Sequence, residues 1–308
     1  MNILITAISQ GLLWSIMAMG VYLTYRILHI ADLTAEGSFP LGGAIASSLI
    51  VSGFSALAAT FIAGFTGMLA GLITGLLYTK LKIPALISGI LTMTGLYSIN
   101  LRIMGRANIS LIGQDTIFSN FFIQDLANNW TALIVGGIFI TSIIFVLFLF
   151  FRTQIGYVLR STGDNEQMTR SQGVDTDAMK ILGLVISNAL IALSGALIAQ
   201  SNGFADISMG IGTIVIGLAA VTIGEVFFGN LTLAKRLMCV VLGSVVYRMI
   251  IALAINLNMN PNDLRLISAI ILAIVLSSPT IKEKLQARNF GKVAGQKNET
   301  SIEHKQFT

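Results

Sequence analysis

Residues 152–180, RTQIGYVLRSTGDNEQMTRSQGVDTDAMK, form a polar island between two long apolar runs, and their reading organises the rest of the chain. Asp164 can accept from the backbone N–H groups that follow it. Gln167, three residues on, completes a capping-box pattern, and Gly173 supplies a left-handed residue to end the helix. About two turns fit between these signals. A helix that short is marginal in water. Within a membrane protein it reads either as a surface gripped by a soluble partner or as a well-capped loop.

The flanking runs define the class. Of 308 residues, 55% are hydrophobic and 11% charged, with a mean hydropathy of +0.83, whereas a soluble domain carries about 25% charged residues. Charge-free runs fall at 1–25, 39–79, 83–101, 131–151, 181–205, 207–224, 237–247 and 266–281. Roughly 20 apolar residues cross a bilayer as a helix, so the expected fold is all-α and polytopic, with about nine crossings (eight to ten) once 39–79 is split near Gly53. The membrane unit then spans 1–281.

Basic residues set the orientation, because Lys and Arg of short loops remain on the cytoplasmic side. Lys80, Lys82, the 152–180 segment, Lys235, Arg236 and the tail 282–308 all fall on one side. The N-terminus is therefore expected outside and the tail inside, solvated and partly disordered. Residues 1–25 lack a basic n-region and a small-residue cleavage site, so the first run is expected to stay as a span. The single cysteine, Cys239, lies within a run and excludes a disulfide framework. The net charge of +5 comes mostly from the inner loops and tail. It follows orientation, with no nucleic-acid partner implied and weak attraction to anionic lipid at the tail.

Two internal patterns stand out. IADLTAEGSF at 30–39 echoes FADISMGIGT at 204–213. By the orientation above, the copies lie at opposite ends of their spans, as in inverted repeats whose interrupted helices meet around a substrate path. Gly67, Gly71 and Gly75 recur along one helix face, which permits close helix packing, either within the chain or against a second copy.

No phosphate-binding loop of the G-x-x-x-x-G-K-[ST] type, zinc-protease spacing or G-x-S-x-G nucleophile motif is present, so an enzyme is not expected. The ionisable residues in or beside spans are Asp32, Glu36, Asp206, Glu225 and Arg248, and charges there face cavities or partners. Arg248 falls near mid-membrane and needs a counter-charge. Glu225 is the expected partner, with Asp206 as substitute. Asp32 and Asp206 are expected to cap half-helix starts, with Thr34, Gly37 and Ser208 beside them, and to frame a polar patch in the path. The outer segment 105–130 interleaves Ile109, Leu111, Ile112, Ile117, Phe118, Phe121 and Phe122 with polar side chains, ending near Trp130. It is expected either as a short surface helix that receives an external binding protein or as an interfacial loop.

The chain also resembles the permease subunits of bacterial ABC importers of the branched-chain amino acid and ribose class, most specifically the tryptophan/tyrosine uptake branch. The resemblance is carried by DLTAEGSFPLGGA (32–44), KLKIPALISGILTMTGLYSINLRIMGRANISL (80–111), LRSTGDNEQMTRSQGV (159–174), GLAAVTIGEVFFG (217–229) and YRMIIALAINLNMNPNDLRLISAIILA (247–273). It implies that the polar loop holds a coupling helix for an ATPase subunit, with Arg160, Gly163, Asn165, Arg170 and Gly173 at matching positions beside Asp164, Gln167 and Met168. Ser161–Thr162, Met168 and Thr169 depart from the alanines of many relatives. The resemblance further implies ATP and Mg in the partner subunit with no cofactor on this chain. It also implies an extracellular substrate-binding lipoprotein, a second permease copy as a homodimer or pair, and residence in the bacterial plasma membrane. The competing expectation is an ion-gradient-driven secondary transporter of a small polar solute, in which Asp32, Asp206 or Glu225 would bind the ion.

Overall fold

The computed structural model describes residues 2–120, 128–228 and 233–256, together with 266, 268–270, 272–274 and 277. Helix α1 (Asn2–Tyr22) continues through a π-helical turn, Leu23–Ile27, closed by Leu28 N–H donating to the Leu23 carbonyl at 3.1 Å. Helices α2 (Ala35–Val51), α3 (Ala56–Thr79) and α4 (Ala85–Met104) follow. A short strand β1 (Asn108–Ser110) and helix α5 (Ile117–Asn120) precede the long α6 (Asn128–Arg152). The polar island forms α7 (Gln154–Asp164) and α8 (Glu166–Ser171). Then come α9 (Thr176–Asn202), strand β2 (Phe204–Asp206), a 3-10 turn at Ile207–Gly210, α10 (Thr213–Phe228) and α11 (Leu233–Asn256).

Among the described residues, 7 helical stretches are long and apolar enough to cross a membrane. The two further crossings expected from sequence are α2 and 266–281. Helix α2 has 17 residues and an internal proline, Pro40, so it is about 25 Å long. Most of 266–281 and the tail 282–308 lie outside the described residues. The break between α2 and α3 sits at Gly53, whose φ of 89° suits glycine.

The glycine periodicity acts within the chain. Gly67 and Gly71 of α3 lie directly on the backbone carbonyls of Asn188 and Leu184 of α9, and Gly75 meets Ile181. A Cβ at either of the first two would collide with backbone. Helix α2 joins the same contact, with Gly42 against the Ala192 carbonyl and Gly195 of α9 against the Phe39 carbonyl. Backbone-to-backbone packing of this kind lets helices associate in lipid, where burying leucine against leucine gains little. Helix α1 is the central post: Leu13, Ile16 and Met17 are buried, and it packs against α6, α9, α10 and α11. Apolar side chains such as Phe61, Phe65, Phe145 and Val146 point outward, as a lipid-facing surface requires.

The all-α expectation needs one correction. Strands β1 and β2 pair antiparallel, Asn108 opposite Asp206 and Ser110 opposite Phe204. Ile109 and Leu111 are buried while Asn108 and Ser110 are exposed, a period of two that suits a strand. Residues 105–120 of the outer segment are therefore not one surface helix but a strand followed by the short α5. Residues 121–127, including Phe121 and Phe122, lie outside the described residues.

Candidate coupling surface and transport path

The polar island is two helices rather than one. Thr153 caps α7 by accepting from Gly156 N–H at 3.2 Å, and Asn165 caps α8 by accepting from Met168 N–H at 3.0 Å. The cap expected at Asp164 thus falls one residue later: Asp164 is the last residue of α7, and the extended backbone of Asn165 (φ −154°) separates the helices. With Asn165 as cap, the third helical residue is Met168, so Gln167 forms no capping box. Gly173 ends the segment with φ 84°, as expected from sequence.

Arg170 is committed within this element. Its guanidinium donates to Thr176 Oγ1 at 2.8 Å and lies 3.3 Å from both Glu166 Oε1 and Asp177 Oδ1. Glu166 also takes Lys180 Nζ at 2.7 Å, and that hydrogen bond holds its carboxyl below the ordinary glutamate pKa. These contacts tie α8 to the start of α9. Gly163 seats α7 directly on the Ile27 carbonyl, leaving no room for a side chain. Facing solvent are Ile155, Tyr157 and Met168, the last 60% exposed. Arg160 is half-buried, and Gln167 and Asn165 are exposed.

Deeper in the bundle, Asp32 is buried and hydrogen-bonded on both oxygens. Thr34 N–H donates to Oδ1 at 2.9 Å and Asn188 Nδ2 to Oδ2 at 2.8 Å. Ser38 Oγ donates to Asn188 Oδ1 at 2.7 Å, and Thr34, Thr74 and Thr92 form a hydroxyl chain at 2.7 and 2.9 Å. Asp32 is not the cap expected from sequence: the N-cap of α2 is Thr34, with no side-chain cap bond, and Asp32, two residues earlier, fixes the chain entering α2 to α9. Buried polar groups without partners are costly, and this cluster satisfies its members. Asn188, Thr74 and Thr92 were not singled out from sequence, although polar residues inside apolar runs are the signal that marks them.

Asp206 accepts from Ser208 N–H at 2.7 Å and from the Ser208 hydroxyl, capping the 3-10 turn, and Asn108 Nδ2 reaches its other oxygen at 3.3 Å. Asp32 and Asp206 share no contact. The two segments touch instead through Glu36, whose Oε1 accepts from Gly212 N–H at 3.0 Å, while Gly210 lies against the Glu36 carbonyl. The start of α10 is thus capped by a side chain from the start of α2. Gly37, beside it, has its carbonyl taken by Asn100 Nδ2 at 3.3 Å.

The expected Glu225–Arg248 pair does not form. Glu225 Oε1 pairs with Arg26 Nε at 2.6 Å. The Arg248 guanidinium lies over the Trp14 ring, 4.1 Å from its centroid. Asp206, the substitute partner, is engaged at the strand pair. Nearness in sequence favoured Glu225, but α1 packs against both α10 and α11, and α1 with its π-helical turn supplies a partner to each. A guanidinium over an indole face is a favourable cation–π contact when desolvated.

A bundle of membrane-length helices interrupted by a capped polar element is the frame of a membrane protein, and comparison with known proteins sets its class, a transport protein of the permease type. The chain belongs to the branched-chain amino acid transport system permease family, an ABC permease family, whose model matches residues 3–276. It is 43% identical to a tyrosine transport system permease protein from Clostridioides difficile (strain R20291), over 94% of this chain and 95% of that one. It is 39% identical to the uncharacterized protein RP368 of Rickettsia prowazekii, over 90% of this chain and 98% of that protein. Identity to an autoinducer 2 import system permease protein, LsrC, from Photorhabdus laumondii is 27%, over 58% of this chain and 52% of that one. As a permease it is a transport component and not an enzyme.

Proposed function

We propose that this chain is the membrane subunit of an ATP-driven importer for an aromatic amino acid of the tyrosine type, handed over by an extracellular binding lipoprotein. The observation that carries the reading is the near full-length likeness to the tyrosine transport permease. ATP and Mg reside in a separate ATPase subunit, which docks on α7 and α8. In support, the loop is locked from within by Arg170 and Glu166 while the apolar side chains of Met168, Tyr157 and Ile155 are left exposed. Gly163 against Ile27 then links that docked element to the end of α1. The basic end faces the cytoplasm of a bacterial plasma membrane, with the N-terminus outside and the tail inside. Nine crossings follow when α2 and 266–281 are added to the seven.

An inverted repeat relates the starts of α2 and α10, supported by the sequence echo and by the Glu36–Gly212 contact. A second permease copy completes the path. Thr94 and Ser98, exposed one turn apart in the middle of α4, suit a water-lined or protein-covered face better than lipid. The test is co-purification of the tagged permease with its ATPase. Met168→Asp, which breaks no internal contact, is expected to abolish recovery of the ATPase while the permease stays folded. Undiminished recovery would sink the docking assignment.

A further inference from the structure

We propose that the cavity between α2, α4 and the turn before α10 is an ammonium subsite on the transport path, in which Glu36 and Asn100 take the amino group of the passing amino acid. This rests on the importer reading above and names the part of the substrate that the chain recognises. The cavity has a volume of about 300 Å³, at the small end of the range for metabolite sites. Its walls are mostly apolar, with Met93, Tyr97, Ile207 and Ile211 among them.

Beside the hydroxyls of Thr94, Tyr97 and Ser98, the polar lining carries two acceptors that lack a matching donor. Glu36 is half-buried, and among the described residues no Lys or Arg pairs with it; one oxygen takes Gly212 N–H, leaving the other free. Pro40 has no N–H, so the Glu36 carbonyl lacks its usual helical donor. Asn100 is fully buried, and its Oδ1 has no hydrogen-bond partner. Its orientation is fixed by the donation of Nδ2 to the Gly37 carbonyl, since the flipped amide would set two oxygens against each other. An unpaired buried acceptor is costly unless a donor arrives. A carboxylate and an orphan amide oxygen, with an aromatic ring and a thioether beside them, match a primary ammonium on a short apolar or aromatic body. The site lies between the start of α2 and the turn that leads into α10, so its occupant touches both segments.

Two measurements on the assembled transporter in proteoliposomes test this. Glu36→Gln keeps an oxygen for Gly212 N–H and removes the charge. Radiolabelled tyrosine uptake is expected to fall about tenfold or more, with Glu36→Asp retaining part of it and ATPase recovery unchanged. Full uptake by Glu36→Gln would overturn the proposal and leave Glu36 as a helix cap. The second measurement keeps Glu36 native and needs no transport. Ser98→Cys at the cavity wall, with Cys239, the chain's single cysteine, replaced by serine, is labelled by a small methanethiosulfonate. Tyrosine and tyramine, which carry the ammonium, are expected to slow labelling several-fold, and 3-(4-hydroxyphenyl)propionate, which lacks it, is not. Equal labelling in all conditions overturns the subsite even if Glu36→Gln fails to assemble. A wild-type complex that imports no amino acid sinks the importer reading instead, and protection by tyramine then still reports on the subsite alone.

Discussion

Gly163 of the polar loop rests on the carbonyl oxygen of Ile27, with no space between them for a methyl group. That contact joins the element facing the basic end to the π-helical turn of the central helix. A Cβ there must displace either α7 or α1. Gly163→Ala is expected to lower thermal stability by about 1–3 kcal/mol, the range for overpacking, and to reduce ATP-driven uptake more than ATPase binding. Uptake and recovery of the ATPase, measured on one preparation, check the split.

The cap of α8 is Asn165 and not Asp164. Asn165→Ala is expected to cost about 1 kcal/mol of local helix stability and to weaken ATPase docking, while Asn165→Asp keeps an accepting oxygen and Asp164→Ala changes little. Affinity of the permease for its ATPase across the three variants is the readout. Equal loss with Asp164→Ala would contradict the assignment.

Glu166 gives the loop a pH dependence. Its pKa is lowered in the folded state, first by the hydrogen bond from Lys180. A carboxyl with a lowered folded pKa contributes stability that is complete above its unfolded value of about 4.3 and is lost as pH falls through the lowered folded value. Docking affinity is therefore expected to be flat in pH from neutrality to about 5 and to fall in more acid solution. In Lys180→Met the folded pKa moves back toward the unfolded value, so the acid loss becomes smaller. An identical acid profile for the two proteins would contradict the role of Lys180.

The ionic contacts are separable. A double-mutant cycle between Arg26 and Glu225 is expected to show a coupling of about 0.2–1 kcal/mol, as for a partly exposed pair. The cycle between Glu225 and Arg248 is expected to be additive within about 0.5 kcal/mol. Coupling in the second cycle and none in the first would restore the pairing that sequence proximity suggests.

Much of the architecture is legible in the chain because one physical constraint dominates it: a segment in lipid must be apolar and helical. The charge-free runs, the break at Gly53, the end of the loop at Gly173 and the family itself follow from residues read in order. Three features were not legible. The Asn165 cap competes with an equally good capper one position earlier, and local sequence does not choose between them. The partners of Glu225 and Arg248 come from the π-helical turn and from α1, more than 190 residues away in the first case, so only the packing of α1 and its continuation against α10 and α11 reveals them. The strand pair joins 108–110 to 204–206, and three residues are too few for a period of two to stand out. At the path, sequence put weight on Asp32 and Asp206 as equivalent caps, yet the contact between the two segments falls to Glu36.

The glycine stripe offers a direct check on the core. Gly71→Ala is expected to destabilise the bundle by about 1–3 kcal/mol, because its methyl meets the Leu184 backbone. Gly95→Ala, on α4 with open space around it, is expected to be neutral or slightly stabilising. Detergent melting temperatures of the two variants report the contrast.

The most direct test of the central claim is tyrosine uptake by proteoliposomes that hold this permease, its ATPase and the loaded binding protein. Uptake that requires ATP inside the vesicle compartment bearing the loop, persists with an uncoupler and vanishes with Met168→Asp is the result predicted. Uptake that proceeds without the ATPase and collapses with the uncoupler would contradict it and identify an ion-coupled carrier.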